Sequence, residues 1–119
     1  KFEYTIPTRI LINSILKNPN YIGGTTSFDS KVMHASKSKI FCKYGAEGVF
    51  LFIHLKKGIS GVVKVTDGNQ RAIPITIINI FKKLKLMNKS ELKNLEKREE
   101  FDLKNHAKKR VGYIISTIR

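Results

Sequence analysis

The segment 43–49 (KYGAEGV) holds the densest set of residues with catalytic or ligand-binding potential. Lys43 ends a predicted strand, and a loop containing Gly45 and Gly48 follows it. Such a loop lets backbone N–H groups approach a ligand closely and places a donor where an oxyanion develops. A lysine beside it acts as a base or carries a proton when it is desolvated or lies near other cations. The alternative is a solvated lysine before a glycine turn, and spacing alone favours that alternative.

Two further loops carry polar groups. Gly23-Gly24-Thr25-Thr26 offers hydroxyls and backbone donors that would line a pocket, although an ordinary loop between two helices explains the same residues. Asp67-Gly68 would place a carboxylate near a site, but on chemistry alone a turn with a helix cap is the simpler interpretation.

The histidines and the cysteine give little support for other chemistry. His34, His54 and His106 have no metal-binding spacing, and Cys42 has no neighbouring thiol, so we expect no metal site in this chain. No Ser-His-Asp set follows from the spacing. Cys42 precedes a lysine, which would activate a thiol, but a small buried strand residue is the favoured interpretation. A single cysteine excludes an internal disulfide framework and points to the reducing cytoplasm.

The size and charge of the chain bound its function. Its 119 residues suit one compact domain or part of a larger one, and a hydrophobic share of 41% is enough for a core. No apolar run approaches the roughly 20 residues that a membrane helix needs. The net charge of +14 suggests nucleic-acid binding when taken alone. The basic residues are eighteen lysines and five arginines spread along the chain, whereas base and phosphate recognition favours arginine, so nucleic-acid binding is the weaker alternative.

The apolar spacing predicts an α+β chain in which helices come first. The first helix spans 7–17 and has Thr8 as its cap, and residues 21–28 form a loop. A short helix then begins with Asp29 or Ser30 as its cap. The apolar face of the first helix is expected to contain Ile10, Leu11, Ile15 and Leu16.

Residues 39–66 are predicted to form a three-stranded antiparallel β-meander flanked by helices. The apolar run 49–55 predicts a strand that is buried on both faces. The strands are expected at 39–43, 49–55 and 60–66, joined by the loop 45–48 and a tight turn at 56–58.

The last third of the chain predicts two helices and a strand. After a turn at 67–69, a long helix is expected to begin near Arg71, because Pro74 fits only the first helical turn. A serine-capped helix at 90–97 and a strand at 110–117 follow. The apolar stripe of the long helix is expected to contain Ile73, Ile77, Ile80, Phe81 and Leu84.

Several short motifs occur in an order that is typical of one enzyme family. They are Asn18-Pro19, Gly23-Gly24-Thr25, Phe28-Asp29, Lys43-x-Gly45-Ala46-Glu47-Gly48-Val49, Asp67-Gly68, Arg71-Ala72 and Val111-Gly112. This series resembles the asparaginase II family, the rhizobial-type L-asparaginases, from about Thr8 to the C-terminus. The K-x-G-A-E-G-V element is the most specific part of the resemblance.

The resemblance implies a fold similar to the C-terminal part of serine β-lactamases and glutaminases, with residues 1–119 as a single partial domain. Enzymes of this family use two serine–lysine pairs for acyl transfer from the side-chain amide of L-asparagine, which yields aspartate and ammonia. Lys43 matches the lysine of the second pair, and the backbone N–H of Ala46 would complete the oxyanion hole. The implied substrate-binding residues are Tyr44, Gly45, Ala46, Glu47, Gly48, Gly24 and Thr25.

The resemblance also implies that part of the site lies elsewhere. The serine-x-x-lysine motif and the zinc-binding cysteines of the family precede the matched region, so we expect this chain to be inactive alone and to hold no cofactor. Zinc would belong to the missing N-terminal part. The expected partners are L-asparagine, the missing N-terminal half of the same domain and a second copy in a homodimer, with no membrane. A sheet without its packing partners predicts an exposed apolar patch.

Two positions depart from the family pattern. Tyr44 stands where the wider superfamily has a small hydroxyl or aliphatic residue, and its ring would narrow the pocket or alter selectivity. Thr26-Ser27 stands where a glycine-arginine pair is typical. The alternative functions are a glutaminase-like or β-lactamase-like hydrolase and a basic nucleic-acid-binding module.

Overall fold

The computed structural model describes residues 5–95 and 101–118. Three helices come first, a sheet follows, and two helices and a hairpin complete the order. The helices are α1 (Ile6–Lys17), α2 (Asn20–Gly23), α3 (Phe28–Ala35), α4 (Ile73–Lys83) and α5 (Lys89–Lys93), and a 3-10 turn (Gln70–Ala72) leads into α4. The strands are β1 (Ile40–Gly45), β2 (Val49–His54), β3 (Ile59–Lys64), β4 (Phe101–Lys104) and β5 (Arg110–Ile114).

Strands β1, β2 and β3 form one antiparallel sheet in that order. The predicted meander over 39–66 and the α+β class are therefore confirmed. Lys43 lies opposite Leu51, and Leu51 lies opposite Val62, so these three side chains share one face of the sheet. We call this face the outer face. Val62 is 69% exposed there.

The opposite, inner face of the sheet packs on the core. The Phe50 ring lies 5.7 Å from the ring of Phe28 in α3, and the Phe52 ring lies 5.1 Å from the ring of Phe81 in α4. Phe50 and Phe52 are buried, whereas Leu51 on the outer face is only half-buried. The prediction that this strand is buried on both faces is wrong, because α3 and α4 both pack on the inner face.

The apolar face predicted for α1 is wrong in part. Ile10 is 62% exposed and Leu11 is 60% exposed. The buried residues are Ile12 and Leu16, which lie one helical turn apart. The helix therefore presents to the core a side that is rotated from the predicted one.

The starts of the first helices also differ from the predictions. Thr5, not Thr8, is the cap residue of α1, and α2 occupies part of the predicted loop. The side chain of Ser27 caps α3, whereas Asp29 and Ser30, the expected caps, lie buried inside its first turn. A cap is identified by where the chain enters the helix, and several hydroxyl or carboxylate residues in a row leave that point ambiguous.

The long helix α4 begins at Ile73 directly after the 3-10 turn, with Pro74 in its first turn as predicted. Leu84 lies just beyond the helix and is 47% exposed, so it is not part of the buried stripe. The buried residues of α4 are Ile73, Pro74, Ile75, Ile77, Ile78 and Phe81.

The C-terminal elements are confirmed in part. Helix α5 is capped by Asn88 in a capping box with Glu91, and not by Ser90. Residues 96–97 of the predicted helix lie outside the described residues. The strand predicted at 110–117 is confirmed over Arg110–Ile114, and it pairs with β4, which the sequence does not predict. Within the described ranges, no helix has the length and apolar character needed to cross a membrane.

Candidate active site

Lys43 lies on β1, the first strand of the sheet, and its side chain is 42% exposed. Its Nζ atom donates a hydrogen bond of 2.7 Å to the backbone carbonyl of Tyr44. The same Nζ atom lies 3.9 Å from Oδ2 of Asp29. The ammonium is therefore held beside the strand edge while part of its surface remains open to solvent.

Asp29 is fully buried in the first turn of α3. Its Oδ1 atom accepts hydrogen bonds from the Ser27 hydroxyl and, at 2.9 Å, from the backbone N–H of Ser30. Its Oδ2 atom accepts a hydrogen bond of 3.3 Å from the backbone N–H of Tyr44. A buried carboxylate needs such donors because burial of an ionised carboxylate without them costs more than burial of a neutral polar group.

The Tyr44 ring faces the core. Its centroid lies 5.0 Å from the Phe50 ring in an edge-on arrangement and 6.5 Å from the Phe28 ring. The backbone of Tyr44, rather than its ring, meets Asp29 and Lys43. The large residue at this position is accommodated by aromatic packing against β2 and α3.

The turn after β1 is exposed at its first residues and buried at its last. Ala46 and Glu47 are exposed, whereas Gly48 is buried. Glu47 and Gly48 adopt positive φ angles of 54° and 70°. A Cβ atom on Gly48 would lie 2.9 Å from the carbonyl carbon of Gly68, so only glycine fits between the two turns. The carbonyl of Gly48 accepts a hydrogen bond of 2.8 Å from the Val65 N–H, which fixes the turn further.

The turn that contains Asp67 lies beside the end of β1. Asp67 Oδ2 lies 2.8 Å from Nη2 of Arg71, and Asp67 Oδ1 accepts a hydrogen bond of 2.9 Å from the Asn69 N–H. The Gln70 side chain donates to the Gly45 carbonyl at 3.5 Å. The Asp67 carboxylate is thus engaged within its own turn, in line with the simpler interpretation of these residues.

The glycine-rich loop joins the site through Ser27. Gly24 and Thr25 are exposed, and Gly24 has a φ of 88°. The Ser27 hydroxyl, which donates to Asp29, also lies 3.2 Å from the carbonyl oxygen of Gly24. A Cβ atom on Gly23 would collide with Asp29 Oδ1 and the Ser27 hydroxyl. The loop therefore leaves room for the Asp29 carboxylate.

Cys42 is fully buried on the inner face of β1. Burial, together with the negative charge of Asp29, raises the pKa of its thiol well above the ordinary value, against the opposing charge of Lys43. The thiol is therefore protonated near neutral pH and has the structural role that the sequence favoured.

The family resemblance places the zinc-binding cysteines before the matched region and implies no zinc ligands in this chain. Among residues 5–95 and 101–118, no group of three or more histidine, cysteine, aspartate or glutamate side chains is arranged to hold a metal ion. No step of the chemistry below is assigned to a metal.

The sequence does not indicate that Asp29, with Ser27 and Gly23 around it, lies beside Lys43. Asp29 was recognised as a helix cap and as part of a family motif, but not as a neighbour of Lys43. The available signal was a carboxylate that directly follows a phenylalanine destined for the core, in a turn opened by paired glycines.

The family model described as L-asparaginase II matches residues 3–116, which is nearly the whole chain. A search of curated proteins found no match. The chain belongs to the L-asparaginase II family.

Proposed function

We propose that this chain supplies the lysine side of a site that hydrolyses the side-chain amide of L-asparagine to L-aspartate and ammonia. The observation that carries the proposal is the position of Lys43, whose ammonium is partly exposed and lies on the strand that leads into the turn containing the exposed residues Ala46 and Glu47. A group that moves protons beside backbone N–H donors is what acyl transfer requires.

In the proposed reaction, a serine Oγ attacks the amide carbon, and Lys43 relays the proton of this hydroxyl. The N–H of Ala46 donates to the oxyanion that forms. The C–N bond then breaks, and ammonia leaves with the proton that Lys43 returns. Water attacks the resulting acyl ester, L-aspartate is released, and the serine hydroxyl is restored.

The attacking serine is proposed to lie in the N-terminal part of the same domain. The support is the family resemblance, in which a serine-x-x-lysine motif precedes the matched region. The nucleotide sequence upstream of the Lys1 codon tests this step. An open frame with that motif supports the proposal, whereas an in-frame stop without it removes the catalytic role from this chain.

L-asparagine is the proposed substrate because the chain belongs to the L-asparaginase II family. The protein expressed from its complete reading frame should release ammonia faster from L-asparagine than from L-glutamine, and it should leave a chromogenic β-lactam intact. Faster turnover of glutamine or of the β-lactam would assign the site to one of those related activities instead.

Nucleic-acid binding, the alternative function, is tested separately. The net charge of +14 motivates it, and it requires DNA binding whose affinity falls steeply with added salt. Absence of binding to single- and double-stranded DNA at low salt would eliminate it. We also propose a cytoplasmic location, since the thiol of Cys42 is buried and unpaired among the described residues.

A further inference from the structure

We infer that Asp29 is a positioning residue of the site, whose carboxylate ties the start of α3 to the edge of β1 and so holds Lys43 and the following turn in place. The catalytic consequence rests on the function proposed for Lys43. The tie itself is a property of the fold and is tested independently of that function.

The two oxygens of the Asp29 carboxylate serve two different elements. Oδ1 is bonded within the first turn of α3, by the Ser27 hydroxyl and by the Ser30 N–H at 2.9 Å. Oδ2 is directed at β1, where it accepts from the Tyr44 N–H at 3.3 Å and lies 3.9 Å from Lys43 Nζ. The carboxylate is therefore a bridge between a helix and a strand.

Burial makes this bridge restrictive. The Asp29 side chain is 1% exposed, so water does not replace a partner that moves away. A shift of α3 along β1 would leave a buried charge without its donors, which is strongly unfavourable. The alignment of the two elements is thus tied to the carboxylate.

The backbone of Tyr44 lies between the two charges, with its N–H and its C=O in successive peptide groups. Tyr44 is paired with Phe50 in the register of the sheet, yet its N–H is bonded to Asp29 and its carbonyl to Lys43 Nζ. The Asp29 carboxylate, the N–H and C=O of Tyr44 and the Lys43 ammonium form a closed set of contacts at the strand edge. Gly45 and Ala46 follow Tyr44 in the chain. The direction of the Ala46 N–H is therefore expected to depend on the contacts that hold the Tyr44 backbone.

Gly23 is the feature of the neighbouring loop that permits this arrangement. Any side chain there would occupy the space of Asp29 Oδ1 and of the Ser27 hydroxyl. Gly23, Ser27 and Asp29 therefore act together with Lys43, although the chain places them in separate motifs.

The test replaces Asp29 by asparagine in the protein expressed from its complete reading frame, with Asp102→Asn as the matched control. Asp102 is also an aspartate in an ion pair, 3.0 Å from Arg110, but it lies in the C-terminal hairpin. The first readout is the amide resonance of Tyr44 and its hydrogen exchange by NMR. The second is kcat and KM for L-asparagine.

Asp29→Asn is expected to shift the Tyr44 amide resonance and to speed its exchange, because the charged acceptor is lost. Misplacement of Lys43 is expected to lower kcat by about 100-fold with little change in KM. Asp102→Asn should leave both readouts unchanged. A Tyr44 amide that keeps its resonance and exchange rate in folded Asp29→Asn protein overturns the inference.

Ser27→Ala is the second variant, because it removes one donor to Asp29 and leaves the charge in place. It should move the Tyr44 amide resonance in the same direction as Asp29→Asn, by a smaller amount, and it decides the question if Asp29→Asn does not fold. An unmoved resonance contradicts the inference. If Lys43→Met keeps full activity while Asp29→Asn shifts the resonance, the proposed function fails and the positioning role stands.

Discussion

The ammonium of Lys43 lies 3.9 Å from the carboxylate of Asp29, and the two residues come from different elements, β1 and α3. One partner is fully buried and the other is 42% exposed. The pair therefore stands at the boundary between core and solvent, with the aspartate charge inside and the lysine charge partly exposed. Such a boundary suits a lysine that must keep a defined position and still reach a ligand.

Gly23→Ala is predicted to destabilise the protein. Replacing a helical glycine by alanine ordinarily adds about 0.5–1 kcal/mol of stability. At Gly23 the added Cβ collides with Asp29 Oδ1 and the Ser27 hydroxyl, so the sign should reverse, with a loss of about 1–3 kcal/mol. Urea unfolding measures the change in the free energy of unfolding.

Gly112→Ala is the matched control for this variant. A Cβ at Gly112 would lie 3.5 Å from Leu103 Cδ1, an ordinary contact. Its stability should therefore change little. A Gly23→Ala protein at least as stable as the wild type would contradict the packing of Gly23 against Asp29.

Cys42 is predicted to be inert to thiol reagents in the folded protein. It is fully buried, and burial with the charge of Asp29 raises its pKa. Because the unfolded thiol loses its proton first, stability from this group is complete below about pH 8.5 and falls as the pH rises. Rapid labelling by a thiol reagent at neutral pH, at the rate found in denaturant, would disprove the burial. The alkaline loss should be smaller in Cys42→Ala.

His54 is predicted to make the protein less stable in mild acid. It is buried at the end of β2, where its Nδ1 atom accepts a hydrogen bond of 3.3 Å from the Lys57 N–H. Burial, with the charges of Lys57 and Lys39, lowers its pKa. The unfolded chain therefore takes up a proton near pH 6.5 that the folded chain resists, so stability is full above about pH 6.5 and is lost as the pH falls.

The comparison with His54→Asn isolates this group from the other histidines. The free energy of unfolding measured at pH 7.5 and pH 5.5 should fall between the two for the wild type, and fall by less for the variant. Equal losses in both proteins would show that another group controls the acid response.

The sheet could be predicted because its pattern is local. The apolar run at 49–55 and the turn at 56–58 define adjacent strands, and Pro74 sets the start of α4. The sequence does not indicate β4, because Phe101–Lys104 is a short strand with charged residues. Its strand conformation is stabilised by pairing with β5, which the residues of β4 alone do not reveal.

The site could be predicted only in part. Lys43 and the turn after it carry a motif that a single sequence reveals. The contact of Asp29 with the Tyr44 N–H joins residues 15 positions apart across a helix and a turn, and no periodicity encodes it. Nor does the sequence indicate that the Tyr44 ring turns to the core, because that depends on the packing of Phe28 and Phe50.

The most direct test of the central claim is ammonia release from L-asparagine by the protein expressed from its complete reading frame, with Lys43 replaced by methionine. Lys56→Met, in the exposed turn between β2 and β3, is the control. Because Lys43 is proposed to transfer the proton, Lys43→Met is expected to lower kcat by about 100- to 10,000-fold, whereas Lys56→Met should keep the wild-type rate. A folded Lys43→Met protein that releases ammonia at the wild-type rate would contradict it.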